Sequence, residues 1–530
     1  MKNLIYILLV LAFGMASCFE DDTTLGTIEV GDIEIGELSN QTVVLFAGKH
    51  LQVSPEVKHG YAEDEMSYAW YLMSEKDEDN YNYRSAKQIT DTKALDLDVD
   101  NHEWNLAPGR YTLVFEAKAA NSYTQTATMT LTTSTEFSEG FYILKETAEG
   151  NTELDLITAE KYFPNLMHSK TGDALQGKPL SLAVIYDNGR INENDELETA
   201  NMVHVFAEGD YRAFRTQDML ETFNRKTLMF EEMPEDEVLY GMTSYMSGNI
   251  CFSNKGFYTF TAGLSSGKLG VPEVDGEVNF VQPLRCGWSG KMFWNNRTKT
   301  LVSDDGELEY DLPAGFNAAN LECVASGESF EGEDEIVWFL CKDKASGKCL
   351  LFQITLETIW VEFMPGFSFP MGNEVKINVG QVSADKHLSK SNLISGVGLG
   401  RKGIYSVDEG SIYLYDIQTG EETRLPLEGM EGEITYISNN YLNLYDFYGN
   451  KQEGCFNYLL IATRHGEGYN LYFFDNLIGG VPSQTTPREV KSGENGVIRG
   501  VRYCSNAVTS ATLNDVSEDY YYGPVYPYGD

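Results

Sequence analysis

Aromatic residues alternate with amides in two stretches of the chain, a combination typical of sites that bind sugars or peptides. Sugar rings stack on flat aromatic faces while amides and carboxylates bond their hydroxyls, and peptides use similar surfaces with more main-chain pairing. The alternative is that each aromatic packs between sheets without touching a ligand. The candidate binding residues are Trp288, Trp294, Asn295, Asn296 and Arg297 in one stretch and Tyr441, Tyr445, Phe447 and Tyr448 in the other. We expect a glycan or oligopeptide ligand, whose identity the sequence leaves open.

Two oxygen-rich loops, 187–196 and 304–307, contain residue types that could bind calcium. Calcium prefers carboxylate and carbonyl oxygens, although neither loop follows the order of an EF-hand. The chain has 80 acidic residues, so acidic clusters also arise by chance. Calcium is the one cofactor that the sequence leaves possible, and its candidate ligands are Asp187, Asp195, Asp304 and Asp305.

Short motifs shared with enzymes occur, but their context argues against catalysis. Residues 263–267 fit GxSxG without a following helical stretch, and residues 398–403 fit GxGxxG but lead into a predicted strand. A nucleophile elbow and a dinucleotide site both need a helix at that point. The 7 histidines show no HExxH spacing. The sequence assigns no catalytic residue. A glycosidase-type carboxylate pair is defined by the distance between its two carboxyl groups in space, which the sequence does not give. Enzymatic activity therefore stays undecided, and a non-catalytic role is favoured.

The cysteines show no metal-binding pattern. The chain has 8 of them, without a CxxC pair or a zinc-like Cys/His spacing. Cys341 and Cys349 flank one turn and could face each other across a hairpin. We expect most of the remaining cysteines to be small buried hydrophobes, with at most one or two disulfides.

The net charge of −41 narrows the range of partners. A strongly negative field repels nucleic acid phosphates and anionic lipid headgroups. We therefore expect no nucleic acid partner and no membrane attachment through the polypeptide itself.

Seven β-hairpins recur at intervals close to the length of a propeller blade, which is about 40–50 residues. Each has two apolar runs, too short for typical helices, around a polar turn. Residues 406–413 also resemble the Asp-box turn of sialidase-type propellers, which lies between strands and is not catalytic. We predict a β-propeller of about seven blades over 139–510, with loosely helical insertions at 158–178 and 217–233 and a Tyr/Pro/Gly tail at 511–530. The hairpins span residues 140–157, 202–216, 249–263, 291–304, 336–356, 402–420 and 457–476.

The region before the propeller alternates with the two-residue period of half-buried strands. Residues 68–72 read YAWYL, and residues 106–115 place a Pro-Gly turn before a late strand. Both resemble the immunoglobulin-type sandwich of the polycystic-kidney-disease-like (PKD-like) family. We predict that sandwich over 27–133, with Trp70 and Trp104 in its core and a hinge at 134–138.

The first residues are typical of an export signal. Lys2 is followed by an apolar run and by small residues before Cys18. This order resembles the bacterial lipobox, which implies removal of residues 1–17 and lipidation of Cys18. An acidic linker at 18–26 is similar to the signal that sends lipoproteins of the Bacteroidota to the outer face of the outer membrane.

Together these features resemble the PKD-like surface lipoproteins of the Bacteroidota, which are associated with SusC/SusD-type importers. The resemblance implies an all-β, lipid-anchored outer-membrane protein, facing the exterior, that binds a nutrient or docks on an importer. One alternative is a glycan hydrolase or lyase on a propeller scaffold, and another is a structural subunit of the importer complex. Fold alone does not choose among these functions.

Overall fold

The structure is a computed structural model and describes most of the chain between residues 33 and 506. Its described ranges are 33–74, 83–101, 103–104, 106–191, 195–245, 248–261, 266–272, 274–275, 278–280, 292–303, 306–331, 334–364, 367–442, 455–475 and 477–506. The chain forms two compact units. The smaller takes in the chain up to Val43 with Gly48–Trp104 and Arg110–Thr132, and the larger takes in Val44–Ala47, Asn105–Gly109 and the chain from Thr133 onward.

The N-terminal region is built from antiparallel strands. They form a five-stranded sheet in the order β2-β9-β8-β5-β6 and the pairs β3-β7 and β1-β4. The strands are β1 (Ile33–Ile35), β2 (Gln41–Val44), β3 (His50–Val53), β4 (Val57–His59), β5 (Met66–Ser74), β6 (Lys87–Thr90), β7 (Leu95–Asp98), β8 (Gly109–Ala119) and β9 (Thr124–Ser134). Short 3-10 turns lie at Glu63–Glu65 and Tyr83–Ser85. The arrangement is the predicted immunoglobulin-type, PKD-like sandwich.

Trp70 fills the core of this sandwich, as predicted. Its side chain is fully buried, lies 4.9 Å from the ring of Phe115 and donates a hydrogen bond to the carbonyl of Lys93 at 3.2 Å. Trp104 is only half-buried, with the ammonium of Lys87 over its ring at 4.4 Å. The ammonium of Lys87 is attracted to the face of the indole ring, so Trp104 is stabilised although it remains partly exposed. The core position predicted for Trp104 is therefore only partly confirmed.

Within the described ranges, the larger unit contains seven four-stranded antiparallel sheets, numbered here as blades 1 to 7. In chain order their strand orders are β12-β11-β10-β39, β13-β14-β15-β16, β17-β18-β19-β20, β21-β22-β23-β24, β25-β26-β27-β28, β29-β30-β31-β32 and β33-β34-β35-β38. The strands of blades 1 to 4 are β10 (Gly140–Glu146), β11 (Thr152–Ile157), β12 (Tyr162–Phe163), β13 (Pro179–Ile191), β14 (Leu197–Ala207), β15 (Tyr211–Arg215), β16 (Glu221–Asn224), β17 (Leu239–Tyr245), β18 (Gly248–Ser253), β19 (Gly256–Thr261), β20 (Val274–Asp275), β21 (Val278–Phe280), β22 (Met292–Asn295), β23 (Thr300–Ser303) and β24 (Gly306–Glu307). The remaining strands are β25 (Leu321–Glu331), β26 (Asp334–Asp343), β27 (Cys349–Met364), β28 (Phe367–Val382), β29 (Leu393–Gly396), β30 (Gly403–Asp408), β31 (Ser411–Asp416), β32 (Glu422–Arg424), β33 (Ile434–Leu442), β34 (Phe456–His465), β35 (Gly468–Phe474), β36 (Leu477–Ile478), β37 (Val481–Pro482), β38 (Glu489–Gly493) and β39 (Val497–Cys504).

The seven blades form the predicted propeller, and every predicted hairpin supplies the second and third strands of one blade. The strands β36 and β37 pair outside the blades, helix α1 spans Leu166–Thr171, and further 3-10 turns lie at Ala318–Asn320 and His387–Ser389. The predicted helical insertion at 217–233 is wrong, because it contains β16, the fourth strand of blade 2. The insertion at 158–178 holds one short helix together with β12.

Blade 1 joins the two ends of the ring. Its innermost strand, β39, pairs with β10 in an antiparallel register that runs from Gly140 opposite Cys504 to Glu146 opposite Val497. The strand β39 also packs beside β13 of blade 2 and β33 of blade 7. Radial closure of this kind leaves only short sheet edges exposed.

The core lies between the blades. Side chains of a strand alternate between its two faces, so Leu182 and Val184 of β13 face blade 1 while Ala183 and Ile185 face blade 3. Apolar clusters of this kind separate each neighbouring pair of blades around the ring. Each blade is therefore buried on both faces, which explains the apolar runs of its central strands.

A buried ion pair lies where blade 1 meets blade 7. The Lys145 ammonium is 2.8 Å from the carboxylate of Asp155, and both side chains are fully buried. Asp155 also accepts hydrogen bonds from the hydroxyls of Tyr162 and Tyr469, each at 2.8 Å, and from the backbone N–H of Asn165 at 2.7 Å. A buried charge is tolerated when its lone pairs are satisfied in this way, and Tyr469 belongs to blade 7, so the network joins the two blades.

Candidate ligand-binding site

Four partly exposed aromatic rings meet where blade 1 adjoins blade 7, and we refer to Phe141, Phe456, Tyr458 and Tyr503 as the aromatic seam. Phe141 at the start of β10 lies 4.8 Å from Tyr503 near the end of β39. Phe456 at the start of β34 lies 4.9 Å from Tyr503 and 4.7 Å from Tyr458 between ring centroids. The buried ring of Phe473 supports the group from below, 5.2 Å from Phe141.

Hydrogen-bonding groups surround the aromatic seam. The Tyr503 hydroxyl donates to Glu139 at 3.0 Å, and the Asn506 amide donates to the other oxygen of that carboxylate at 3.3 Å. Burial raises the pKa of Glu139, against the effect of these two donors. On the opposite side Arg488 donates to the Tyr458 hydroxyl at 3.3 Å.

One more polar group borders the aromatic seam. Arg488 also pairs with Asp475 at 3.2 Å. Asn457 lies on the opposite face of β34 from Phe456 and Tyr458, where its amide oxygen accepts a hydrogen bond from Asn439 at 2.7 Å. Partly exposed rings bordered by carboxylates, an amide and a guanidinium match the composition of sugar-binding and peptide-binding surfaces.

The first predicted group of binding residues lies in blade 4 and is largely structural. Trp294 is fully buried, with its ring 5.4 Å from that of Phe352 in blade 5. Asn295 is also buried, and its side-chain oxygen accepts the N–H groups of Arg297 at 2.9 Å and Thr298 at 3.2 Å. These bonds shape the turn from β22 to β23. Asn296 is half-buried, Arg297 is exposed, and Trp288 lies outside the described residues.

The second predicted group has one described member, Tyr441 in blade 7. It is buried, with 1% of its surface exposed, and a Cβ added to Gly398 in blade 6 would lie 2.4 Å from its ring. This close approach explains why the first position of the GxGxxG motif is a glycine. The last glycine of the motif begins strand β30, so the motif leads into a strand, as predicted. Tyr445, Phe447 and Tyr448 lie outside the described residues. Blades 4 and 7 are not neighbours, so the described members of the two groups are not brought together.

The calcium candidates are separated along the β13–β14 hairpin. Asp187 occupies an irregular position of β13 with a positive φ of 49°, and its N–H donates to the amide oxygen of Asn201 at 3.1 Å. Asp195 is exposed in the following turn. Asp304, Asp305 and the lipidation candidate Cys18 lie outside the described residues. Within the described ranges, no three His, Cys, Asp or Glu side chains gather as metal ligands.

Sequence reasoning missed the aromatic seam itself. Phe141 and Tyr458 belong to the predicted hairpins at 140–157 and 457–476, and Phe456 directly precedes the second of them. Phe141 and Tyr503, however, come from strands at opposite ends of the larger unit. Only the pairing of β10 with β39 brings them together. The available signal was the pair of aromatics at alternate positions 456 and 458, which a blade interface also explains.

Comparisons with known proteins agree with the N-terminal sandwich. Residues 18–179 match the family described as the PKD-like family. No curated protein matches the chain. Among the described residues, no helix has the length and apolar character needed to cross a membrane.

Several solved structures are similar to the chain at low identity. A quinonprotein alcohol dehydrogenase-like protein from Bacteroides thetaiotaomicron is 12% identical, over 88% of this chain and 96% of that chain, with a TM-score of 0.36. A DUF4784 family protein from Bacteroides caccae is 10% identical, over 89% and 99%, with a TM-score of 0.28. The WD40 domain of Neurospora crassa Pan2 is 12% identical, over 56% and 91%, with a TM-score of 0.22. At such scores we attribute none of their activities to this chain.

Proposed function

We propose that this chain is a non-catalytic surface lipoprotein that captures a glycan or oligopeptide at the aromatic seam for uptake through a SusC/SusD-type importer. The observation that carries the proposal is the group of four partly exposed rings bordered by Glu139, Asn506 and Arg488. Stacking on rings needs no chemical change in the ligand, which suits capture better than catalysis. The net charge of −41 favours neutral ligands over polyanions.

The location rests on the N-terminal sequence. A lipid on Cys18 would anchor the chain, since each buried methylene contributes about 0.8 kcal/mol and two or more acyl chains hold a protein stably at a membrane. The acidic residues after Cys18 favour the outer face of the outer membrane. Labelling with a clickable fatty acid tests this anchor. We expect incorporation into the native protein and none into Cys18→Ala, and an unlabelled native protein would refute the anchor.

The binding test compares the native protein with Phe456→Ala and Tyr458→Ala on neutral polysaccharides and unfolded peptides. Each lost ring should weaken binding about threefold to tenfold, since aromatic contacts contribute about 0.5–1.5 kcal/mol beyond burial. Phe230→Ala is the matched control, because Phe230 is 68% exposed and lies in the connection between β16 of blade 2 and β17 of blade 3. Binding that is equal in all variants, or absent from every probe, would refute a role for the aromatic seam.

The same samples separate the alternatives. Release of reducing ends or cleaved peptide would show a hydrolase or lyase. Co-purification with an importer in mild detergent, without any retained probe, would show a structural subunit instead.

A further inference from the structure

Two buried cysteines are directly opposed on neighbouring strands of blade 5. Cys323 of β25 lies opposite Cys341 of β26 in the strand register. Their exposed fractions are 6% and 0%, and both belong to the cluster that packs blade 4 against blade 5. Both cysteines are in the thiol form in the structure, and the Cys323 thiol adds to the effect of burial in raising the pKa of Cys341. We propose that Cys323 and Cys341 form a cross-strand disulfide in the exported protein.

The strand geometry fits such a bond. Directly opposed residues of an antiparallel pair have Cα atoms about 4.5 or 5.5 Å apart, within the about 4.4–6.8 Å that a disulfide spans. The register shifts immediately after Cys323, between residues 323 and 325. A bulge bends its strand and increases the local twist.

The same register excludes the pair that the sequence indicated. Cys349 lies opposite Lys342, and Cys341 lies opposite Leu350. Cys341 and Cys349 therefore point to opposite faces of blade 5 and contribute to different clusters. Directly opposed side chains lie on the same face of a sheet, whereas side chains one position further along the strand lie on the opposite face. Cys341 and Cys349 therefore do not face each other across the hairpin, as the sequence had left possible, and Cys323 is the cysteine that lies opposite Cys341.

The bond requires an oxidant from outside the chain. Each thiol loses its hydrogen, one Sγ–Sγ bond forms, and a disulfide-containing oxidant such as oxidised glutathione or an exported oxidoreductase takes up two electrons and two protons. Burial raises the pKa of the Cys341 thiol in the folded state. Since the thiolate is the reactive form, the bond should form while the β25–β26 hairpin is still exposed during folding. A location outside the cytoplasm, proposed above, lets it persist.

Peptide mapping of the native chain tests the bond directly. The reduced, unfolded protein is refolded with reduced and oxidised glutathione, its free thiols are alkylated in denaturant without reductant, and the digest is analysed by mass spectrometry. We expect a linked pair of peptides containing Cys323 and Cys341, lighter by two hydrogens than the reduced pair. Full alkylation of both cysteines in correctly folded protein, or linkage of Cys341 to another cysteine, would overturn the proposal.

A second measurement compares thermal unfolding with and without reductant. Reductant should lower the melting temperature of the native protein by about 3–5 °C, the effect expected for a loop of this size in a large unit. Cys349→Ala, the matched control from the opposite face, should respond in the same way. Cys323→Ala and Cys341→Ala should not respond to reductant. An equal response in all four proteins would contradict the assignment.

Discussion

His204 should make the propeller lose stability as the pH falls below neutrality. The imidazole lies on β14 with no exposed surface, in contact with Phe206 and Tyr211. One ring nitrogen, Nδ1, is 2.8 Å from the Tyr211 hydroxyl, while the buried Nε2 has no hydrogen-bond partner among the residues that the structure describes. Burial therefore lowers the pKa of His204 from 6.5 to about 3, because the charged ring would lose its hydration.

The sign and size of the effect follow from the difference between the pKa of His204 in the folded state and its pKa in the unfolded state. The folded state binds the proton less readily than the unfolded state, so the contribution of His204 is complete above pH 6.5 and is lost as the pH falls from 6.5 towards 3. At pH 5 the solution is 6.5 − 5 = 1.5 units below the unfolded pKa. At about 1.36 kcal/mol per unit, the free energy of unfolding should fall by about 2 kcal/mol between pH 8 and pH 5.

Urea unfolding at pH 8 and pH 5 measures this loss. In His204→Gln the amide replaces the hydrogen bond to Tyr211 without a titrating group, so the difference between the two pH values should shrink by about 2 kcal/mol. His465→Gln, which removes an exposed histidine from the β34–β35 turn, should leave the difference unchanged. An equal pH dependence in the native protein and His204→Gln would refute the reasoning.

Three further substitutions test the interactions that stabilise the propeller. Asp155→Asn should lower the free energy of unfolding in urea by about 3–5 kcal/mol, because Lys145 would remain buried without its counter-charge; a loss below 1 kcal/mol would contradict this. Gly398→Ala should cost about 1–3 kcal/mol through overpacking against a buried tyrosine ring, whereas Gly380→Ala on β28, with open space at its Cβ position among the described residues, should change stability by less than about 1 kcal/mol. Asn295→Ala should lower stability by about 1–2 kcal/mol, since two N–H groups of the β22–β23 turn lose their acceptor, and an unchanged thermal midpoint would show that water replaces the amide.

The blade hairpins were predictable from sequence because their strands are buried on both faces. Such strands are continuous apolar runs, as in β26 and β27. Several innermost and outermost strands lack this signal. Strand β33 carries the buried polar residues Ser438, Asn439 and Asn440, and β12 has only two residues. The helical spacing within 217–233 was misleading, because its apolar residues pack between blades as part of loops and β16.

The candidate site was less predictable than the fold. A pattern of aromatic residues and amides does not distinguish a ligand-binding surface from an interface between blades. Trp294 and Tyr441 are buried and pack between blades. The aromatic seam depends on contacts between residues more than 300 positions apart, such as Glu139 with Tyr503. Likewise, the faces of Cys323, Cys341 and Cys349 depend on strand register, which a turn position alone does not determine.

The pairing of β10 with β39 also affects the order of events during synthesis. Ring closure joins residues 140 and 504, so the first blade stays incomplete until almost the whole unit has been made. Loop-closure cost grows by about 0.6 kcal/mol per doubling of length, and contacts so distant in sequence slow folding. The ring can therefore close only after the last strand of the larger unit is available, and loss of β39 by truncation would leave blade 1 without its innermost strand.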